Sequence, residues 1–306
     1  MSTTEAEERA DEVCASCGIK GGDNNITLKN CTACYLVKYC GVECQRNHRP
    51  EHKGECKRRA AKLKDELLFK QPKSSHLGDC PICLFPIPLD TIQGDAGYTT
   101  YSCCSKVVCT GCIHANVLRE FEGRLTPSCP FCRRPVPKSE KEADLLTMKR
   151  AEANDPVALC SLGKGHSREG DYATAIQYWE KAAALDNAES HFQLSFAYYE
   201  GLDGVEKDMK KHMYHLEQAA IGGHANARYS LGATELEKDN TERAAKHFTI
   251  AANLGHDESM KELKEGYSHG VVSKEDFGAA LRAHYAAVNA AKSPQRNEAE
   301  AAQKVL

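Results

Sequence analysis

Polar and apolar positions split this chain into two unlike stretches. The first, up to Cys132, is too polar to bury a large core, whereas the second is alanine-rich and patterned as helix. Two independent markers repeat in the second stretch. Leu162-Gly163, Leu194-Ser195, Leu231-Gly232 and Leu263-Lys264 are 32, 37 and 32 residues apart, and Ala182-Ala183, Ala219-Ala220 and Ala251-Ala252 are 37 and 32 apart. Periods of this size predict stacked helix pairs, each burying its face only against its neighbours. Small residues at fixed positions let helices approach closely, and Glu200-Gly-Leu-Asp-Gly204 turns the chain between them. A single alanine-rich bundle would not need matching intervals in two markers.

Shorter helices are predicted elsewhere. Cys56 to Lys70 has good helix propensity and stops at Gln71-Pro72, because proline disfavours helical geometry in the residue before it. Ile113, Val117, Leu118 and Phe121 fall at helical spacing, which predicts one helix laying an apolar face on the neighbouring cysteine cluster. Asp144 to Ala153 predicts a helix leading into the repeats. Lys73–Asp79 and Arg133–Ser139 read as linkers, within segments 57–79 and 133–153. Residues 1–13 read as an acidic disordered tail and 292–306 as a second tail.

Composition narrows the function. The 306 residues carry 43 acids against 40 bases, a net charge near −3, which speaks against a dedicated nucleic-acid binder. No apolar run approaches the roughly 20 residues of a membrane-spanning helix, so the expectation is a soluble chain with no membrane partner. Glu5, Glu7, Glu8, Asp11 and Glu12 against Arg9 are the opposite of a secretory signal. The expected setting is therefore intracellular, cytoplasmic or nuclear, where cysteines stay reduced and available to metal. Of 16 cysteines, only Cys160 lies beyond Cys132; it reads as a small core residue. The basic run Lys57-Arg-Arg59 with Lys62 and Lys64 lacks interleaved aromatics and reads as a solvated helix face.

Cys14-x-x-Cys17, Cys31-x-x-Cys34, Cys40-x-x-x-Cys44 and His52-x-x-x-Cys56 supply four ligand pairs, enough for two tetrahedral zinc ions. The four-residue spacings put both members of a pair on one helical face. With Tyr39-Cys40, Cys44-Gln45 and His52-Lys53-x-x-Cys56, residues 14–56 resemble a MYND-type zinc finger. The resemblance implies interleaved pairs: Cys14, Cys17, Cys40 and Cys44 on one ion, and Cys31, Cys34, His52 and Cys56 on the other. It also implies recognition of short proline-containing peptides. The family's usual Trp three residues before the liganding His is here Arg49, which alters the aromatic wall of such a groove. His48 falls on the same spacing and reads as a solvent-facing imidazole.

Cys80-Pro-Ile-Cys83, Cys103-Cys104, Cys109-Thr-Gly-Cys112 and Cys129-Pro-Phe-Cys132 supply eight more sulfurs. The order knuckle, long loop, knuckle, helix, knuckle over residues 80–132 resembles a RING finger, whose pairs also interleave. The resemblance implies Cys80, Cys83, Cys109 and Cys112 on one ion. The family's His two residues after the third ligand is here Lys106, an ammonium that cannot ligate. Cys103 is the substitute, with Cys104, Cys129 and Cys132 completing the second set; a distorted or weakly occupied site is the alternative. Four zinc ions are therefore expected in all. In RING ubiquitin ligases the finger binds a ubiquitin-conjugating enzyme and orients its thioester. Carried over, Ile82 and Pro130 would form the apolar patch on that enzyme and Arg133 would clamp ubiquitin with its planar donors.

The repeats, over residues 154–291, are similar to Sel-one-like repeats, relatives of the tetratricopeptide fold. Ala188-Glu-Ser-His-Phe-Gln-Leu-Ser-Phe-Ala-Tyr-Tyr-Glu-Gly-Leu-Asp-Gly-Val-Glu-Lys-Asp and Tyr178-Trp179-Glu-Lys-Ala-Ala carry the likeness, which implies scaffolding. Repeats one and three lack the Gly-x-Gly-Val loop, hence the shorter interval, and residues 257–288 read as a degenerate capping repeat. The expected fold is multidomain: two small zinc-stabilised fingers, then an all-α solenoid. The expected function is a zinc-binding adaptor mediating protein–protein contacts, with a RING-type ubiquitin ligase as the alternative and protein or peptide partners in either case.

Overall fold

A computed structural model describes residues 13–22, 26–89 and 97–303, so the expected acidic tail lies almost wholly outside the described residues. The chain is a zinc-finger region followed by a helical solenoid. It divides into two units, residues 1–70 and 71–306.

In the first unit, β1 (Lys29–Asn30) pairs antiparallel with β2 (Lys38–Tyr39), and α1 (Val42–Leu68) follows. The helix expected from Cys56 thus begins much earlier and runs through Pro50. Its first half carries Cys44, His52 and Cys56, with His52 and Cys56 buried, while Lys57, Arg58, Lys62 and Lys64 are exposed. A core of cysteines around Tyr39 replaces the usual aliphatic one.

The second unit opens with the second cysteine-rich module. Its β3 (Tyr98–Thr100) and β4 (Val107–Cys109) form a hairpin that runs directly into α2 (Thr110–Glu122). Then come α3 (Glu140–Glu152) and the paired helices α4 (Pro156–Arg168) with α5 (Tyr172–Ala183), α6 (Ala188–Glu200) with α7 (Met209–Ile221), and α8 (Ala225–Leu236) with α9 (Thr241–Ala252). The stack continues with α10 (Asp257–Ser268) and α11 (Lys274–Ala290). Residues read as a tail instead include α12 (Pro294–Gln303), which packs back on α2. No helix among the described residues is long and apolar enough to cross a membrane.

The repeat is also a period of helix caps. Asp155, Asn187, His224 and His256 precede α4, α6, α8 and α10, and each accepts a backbone N–H from the first turn through its side chain. The small residues have a steric cause. A Cβ on Gly163 would lie 2.4 Å from the Trp179 indole nitrogen, and one on Gly232 would lie 2.5 Å from the Phe248 ring. Each glycine therefore receives an aromatic ring from its partner helix, and the three Ala-Ala pairs are buried beside them. Cys160 is buried in the core of the first pair.

The turns that open α4, α6, α8 and α10 face the segment 71–109 in reverse order. Gln71 exchanges hydrogen bonds with the Ile250 carbonyl and Asn253, just before α10. The His76 N–H donates to the Gly223 carbonyl at 3.1 Å, before α8. Tyr98, Thr100 and Val107 line one cavity with Asn187 and Glu189, at the start of α6. Ser105 accepts from Arg150 Nε at 2.7 Å, and Arg150 also pairs with Asp155, the cap of α4. The second module is thereby seated along one edge of the solenoid.

Candidate metal centres

Four of the five Cys-x-x-Cys segments share one backbone device; the fifth, Cys109–Cys112, is already entering α2. The residue after the second cysteine donates its N–H to the carbonyl of the first: Gly18 to Cys14, Tyr35 to Cys31, Leu84 to Cys80 and Arg133 to Cys129, each at 2.9 Å. All four donors have positive φ, the left-handed region that glycine enters freely and other residues enter at about 1–2 kcal/mol. The turn points both thiols of a knuckle the same way.

Cys103 and Cys104 are accommodated by the same device. Ser105 has φ 53° and donates to the Tyr101 carbonyl at 2.8 Å, while the Tyr101 N–H donates to the Lys106 carbonyl at 3.1 Å. Tyr101 thus stands where a knuckle's first cysteine would, and Cys103 is an added sulfur inside the turn. Lys106 closes the turn with its backbone; its ammonium lies over the Phe131 ring, 5.8 Å from the centroid.

Four sets of donor atoms come together, each within 4.8 Å: Cys14, Cys17, Cys40 and Cys44; Cys31, Cys34, His52 and Cys56; Cys80, Cys83, Cys109 and Cys112; and Cys103, Cys104, Cys129 and Cys132. Representative separations are 3.6 Å for Cys17–Cys40, 3.8 Å for Cys31–Cys56, 3.7 Å for Cys83–Cys109 and 3.8 Å for Cys104–Cys129. Tetrahedral sulfurs about 2.3 Å from a zinc ion sit about 3.8 Å apart, so the residues fit that metal. Cys103–Cys132 is closer, at 3.4 Å. No cysteine is in a disulfide.

The ionisation pattern points the same way. Burial pushes Cys14 up, but backbone N–H groups of Cys17, Cys40 and Ser16 outweigh it and bring the thiol down to about 6. Cys31 is also brought down to about 6, through Ala33, His52 and Cys34, and Cys80 to about 7. Their partners move the other way: Cys40, sharing hydrogen bonds with Cys44, Cys17 and Cys14, is held up at about 12, and burial drives Cys56 to about 11. One thiolate per set comes easily and the next is opposed by its neighbours. A bound dication removes that opposition.

Side chains outside the ligand sets complete the sites. His48, expected to face solvent, is half-buried: its Nδ1 lies 3.1 Å from the Tyr39 hydroxyl and its ring stacks on His52, centroids 5.6 Å apart. Of the four apolar α2 positions expected to face the cysteine cluster, Ile113 packs on it and the other three do not. Val117, Leu118 and Phe121 are exposed, Phe121 at 82%, and the buried positions are Gly111, Cys112, Asn116 and Glu120. The reason is polar. Asn116 Nδ2 donates to the Ser128 carbonyl, and the Glu120 carboxylate accepts the Ser128 hydroxyl at 2.6 Å and its N–H at 3.0 Å, so this face anchors the last knuckle. Those bonds hold the Glu120 carboxyl below its ordinary range.

Of the three residues assigned to a conjugating enzyme, Ile82 is 40% exposed. Pro130 is buried, a correction to the expected patch: the knuckle that carries it is drawn down on α2 through Ser128. Arg133 is exposed but already donates through Nη1 to Asn116 Oδ1 at 2.7 Å.

Comparison with known proteins places part of this architecture in families. Residues 14–56 match the MYND finger, and residues 157–187, 188–224 and 225–256 match the Sel1 repeat. The chain is 31% identical over 89 residues to chitin synthase regulatory factor 4 of Schizosaccharomyces pombe, covering 29% of this chain and 14% of that protein. It is 32% identical over 91 residues to cytochrome c oxidase assembly factor 7A of Xenopus laevis, covering 28% and 39%. It thus spans well under half the length of either relative. Among solved structures it is similar to a Sel1 repeat protein from Oxalobacter formigenes, with TM-score 0.43 and 28% identity over 49% of this chain and 66% of that one. The chain carries a MYND finger and, C-terminal to it, three Sel1 repeats.

Proposed function

We propose that this chain is a zinc-dependent adaptor of reducing compartments, in which four zinc ions, one per ligand set, hold two protein-binding fingers and the repeats hold the second finger in place. The observation that carries the reading is the exposed stripe of α2. A finger that spends its polar face on its own knuckle and leaves Val117, Leu118 and Phe121 outside has an apolar stripe free for a partner. The first finger, by its family, takes short proline-containing peptides.

A RING-type ligase is the second reading, favoured by Ile82 and Arg133 on the surface beside the ligands. It would work by orienting a conjugating enzyme's thioester rather than by covalent chemistry. Both readings meet in one experiment: reconstituted ubiquitination with a panel of conjugating enzymes, run beside direct binding of each enzyme to the zinc-loaded chain. The adaptor reading expects no ubiquitin chains from any enzyme and expects proline-containing peptides to bind the first finger. Ligase activity that falls at least tenfold in both Ile82→Ala and Arg133→Ala would replace it.

A further inference from the structure

Arg296 is buried, 7% exposed, on the face of α12 that meets the second finger. Its guanidinium serves two segments at once. Nη1 donates to the Pro86 carbonyl at 2.6 Å and to the carbonyl of Ala291, the residue that follows α11. Nη2 donates to the Phe85 carbonyl at 3.3 Å and reaches the Cys83 sulfur at 3.5 Å. The backbone of α12 is equally close. A Cβ on Gly111 would lie 2.8 Å from both the backbone nitrogen and the Cγ of Arg296, and Gly111 stands between Cys109 and Cys112. The finger is thus bare of side chain where α12 crosses it.

The charges are complementary. Four thiolates around a dication leave two net negative charges, and burying them without a counter-charge is costly. Groups that hydrogen-bond to metal ligands fix their orientation and typically change metal affinity by about 10–100-fold.

We propose that α12 is a clamp on the first metal centre of the second finger: Arg296 holds Cys83 in its ligand position and offsets the tetrathiolate charge, so this ion is retained only while α12 is docked. The clamp rests on reading Cys80, Cys83, Cys109 and Cys112 as a zinc site. It makes the end of the solenoid a component of a metal site more than 200 residues away in sequence.

The test is the rate at which the zinc-loaded full chain releases metal to a chromogenic chelator. Cys80→Ser should abolish one release phase and so identify it. Arg296→Ala, and separately Gly111→Ala, which alters no ligand but pushes α12 away, should each speed that phase by about tenfold or more and leave the others unchanged. Arg296→Lys, which keeps the charge but not the fork of donors, should fall between. Far-UV circular dichroism of the variants should match wild type. An unchanged zinc count in Cys80→Ser would remove the metal site itself. A normal count with wild-type release in Arg296→Ala and Gly111→Ala would remove the clamp alone, as would a general loss of helix in both variants.

Discussion

The two fingers each bring eight ligands together in interleaved order, yet they are supported in different ways. The first closes on its own residues: Tyr39 sits among the cysteines, and His48 braces both Tyr39 and His52. The second turns its one helix polar side in and draws support from far along the chain, through Arg150 at Ser105, Gly223 at His76 and Arg296 at Cys83. Ligand spacing identifies a metal module without revealing where the rest of its shell comes from. The first should behave as a transferable module and the second as an organ of the solenoid.

Removing zinc should separate the two most. Apparent zinc binding is worth about 10–16 kcal/mol per structural site, far more than a core of one tyrosine and apolar fragments can replace. Chelation should abolish amide protection in residues 42–56, while α4 to α9, whose aromatic and alanine contacts contain no ligand, keep theirs in hydrogen exchange. If the repeats lose protection together with the metal, the dependence runs both ways and the contrast fails.

A smaller effect is expected at the seam. Gly223 has φ +84°, and a Cβ there would lie 2.6 Å from the Ser74 carbonyl oxygen and 3.3 Å from the His76 nitrogen. Gly223→Ala should cost about 1–3 kcal/mol in denaturant unfolding of the second unit. Metal release from the first finger should stay at its wild-type rate. A change there would show that the first finger also leans on the seam.

The smallest effect is a pH dependence at the same seam. The Glu189 carboxylate faces four donors, Lys164 Nζ at 2.8 Å, Gln193 Nε2 at 2.8 Å, His224 Nε2 at 3.2 Å and His76 Nε2 at 3.4 Å, and the His76 and His224 rings stack 4.1 Å apart. Burial pushes His224 down to about 4, outweighing the pull of Glu189. The folded value lies below the unfolded 6.5, so the unfolded chain takes up the proton first. Stability is full above about 6.5 and lost as pH falls toward 4. Burial opposes the Glu189 charge, but His224, His76 and Lys164 win and hold its carboxyl far below the usual range. Its contribution is therefore present above the unfolded 4.5 and lost only in stronger acid. His224→Asn keeps a cap but not the titration. Its unfolding midpoint should decline less between pH 6.5 and 5 than that of wild type, and parallel declines would assign the acid sensitivity elsewhere.

Much of this was legible in the chain. The repeat period, the helix pairs and the knuckles all follow from residues close in sequence, where spacing carries geometry. The inward face of α2 did not, because hydrophobic periodicity marks an amphipathic helix but assumes an apolar interior. Here the interior is a cysteine knuckle whose Ser128 takes Asn116 and Glu120 as hydrogen-bond partners. Histidine at 224 and 256 hid two caps, since Ser, Thr, Asp and Asn are the residues usually read as such. Arg296 and Gly111 carry no signal apart: an arginine in a polar helix reads as solvent charge, and only the folded chain sets it against a missing Cβ.

The left-handed residue that closes four of the knuckles has one more consequence. Glycine occupies that corner after Cys17, but Tyr35, Leu84 and Arg133 occupy it elsewhere, the first two 65% and 73% exposed. Packing does not require the Tyr35 and Leu84 side chains, and the backbone would be easier with glycine. Zinc binding, where it occurs, is worth far more than that strain, so a knuckle of this kind can serve as a rigid pedestal that displays a side chain such as Tyr35 or Leu84.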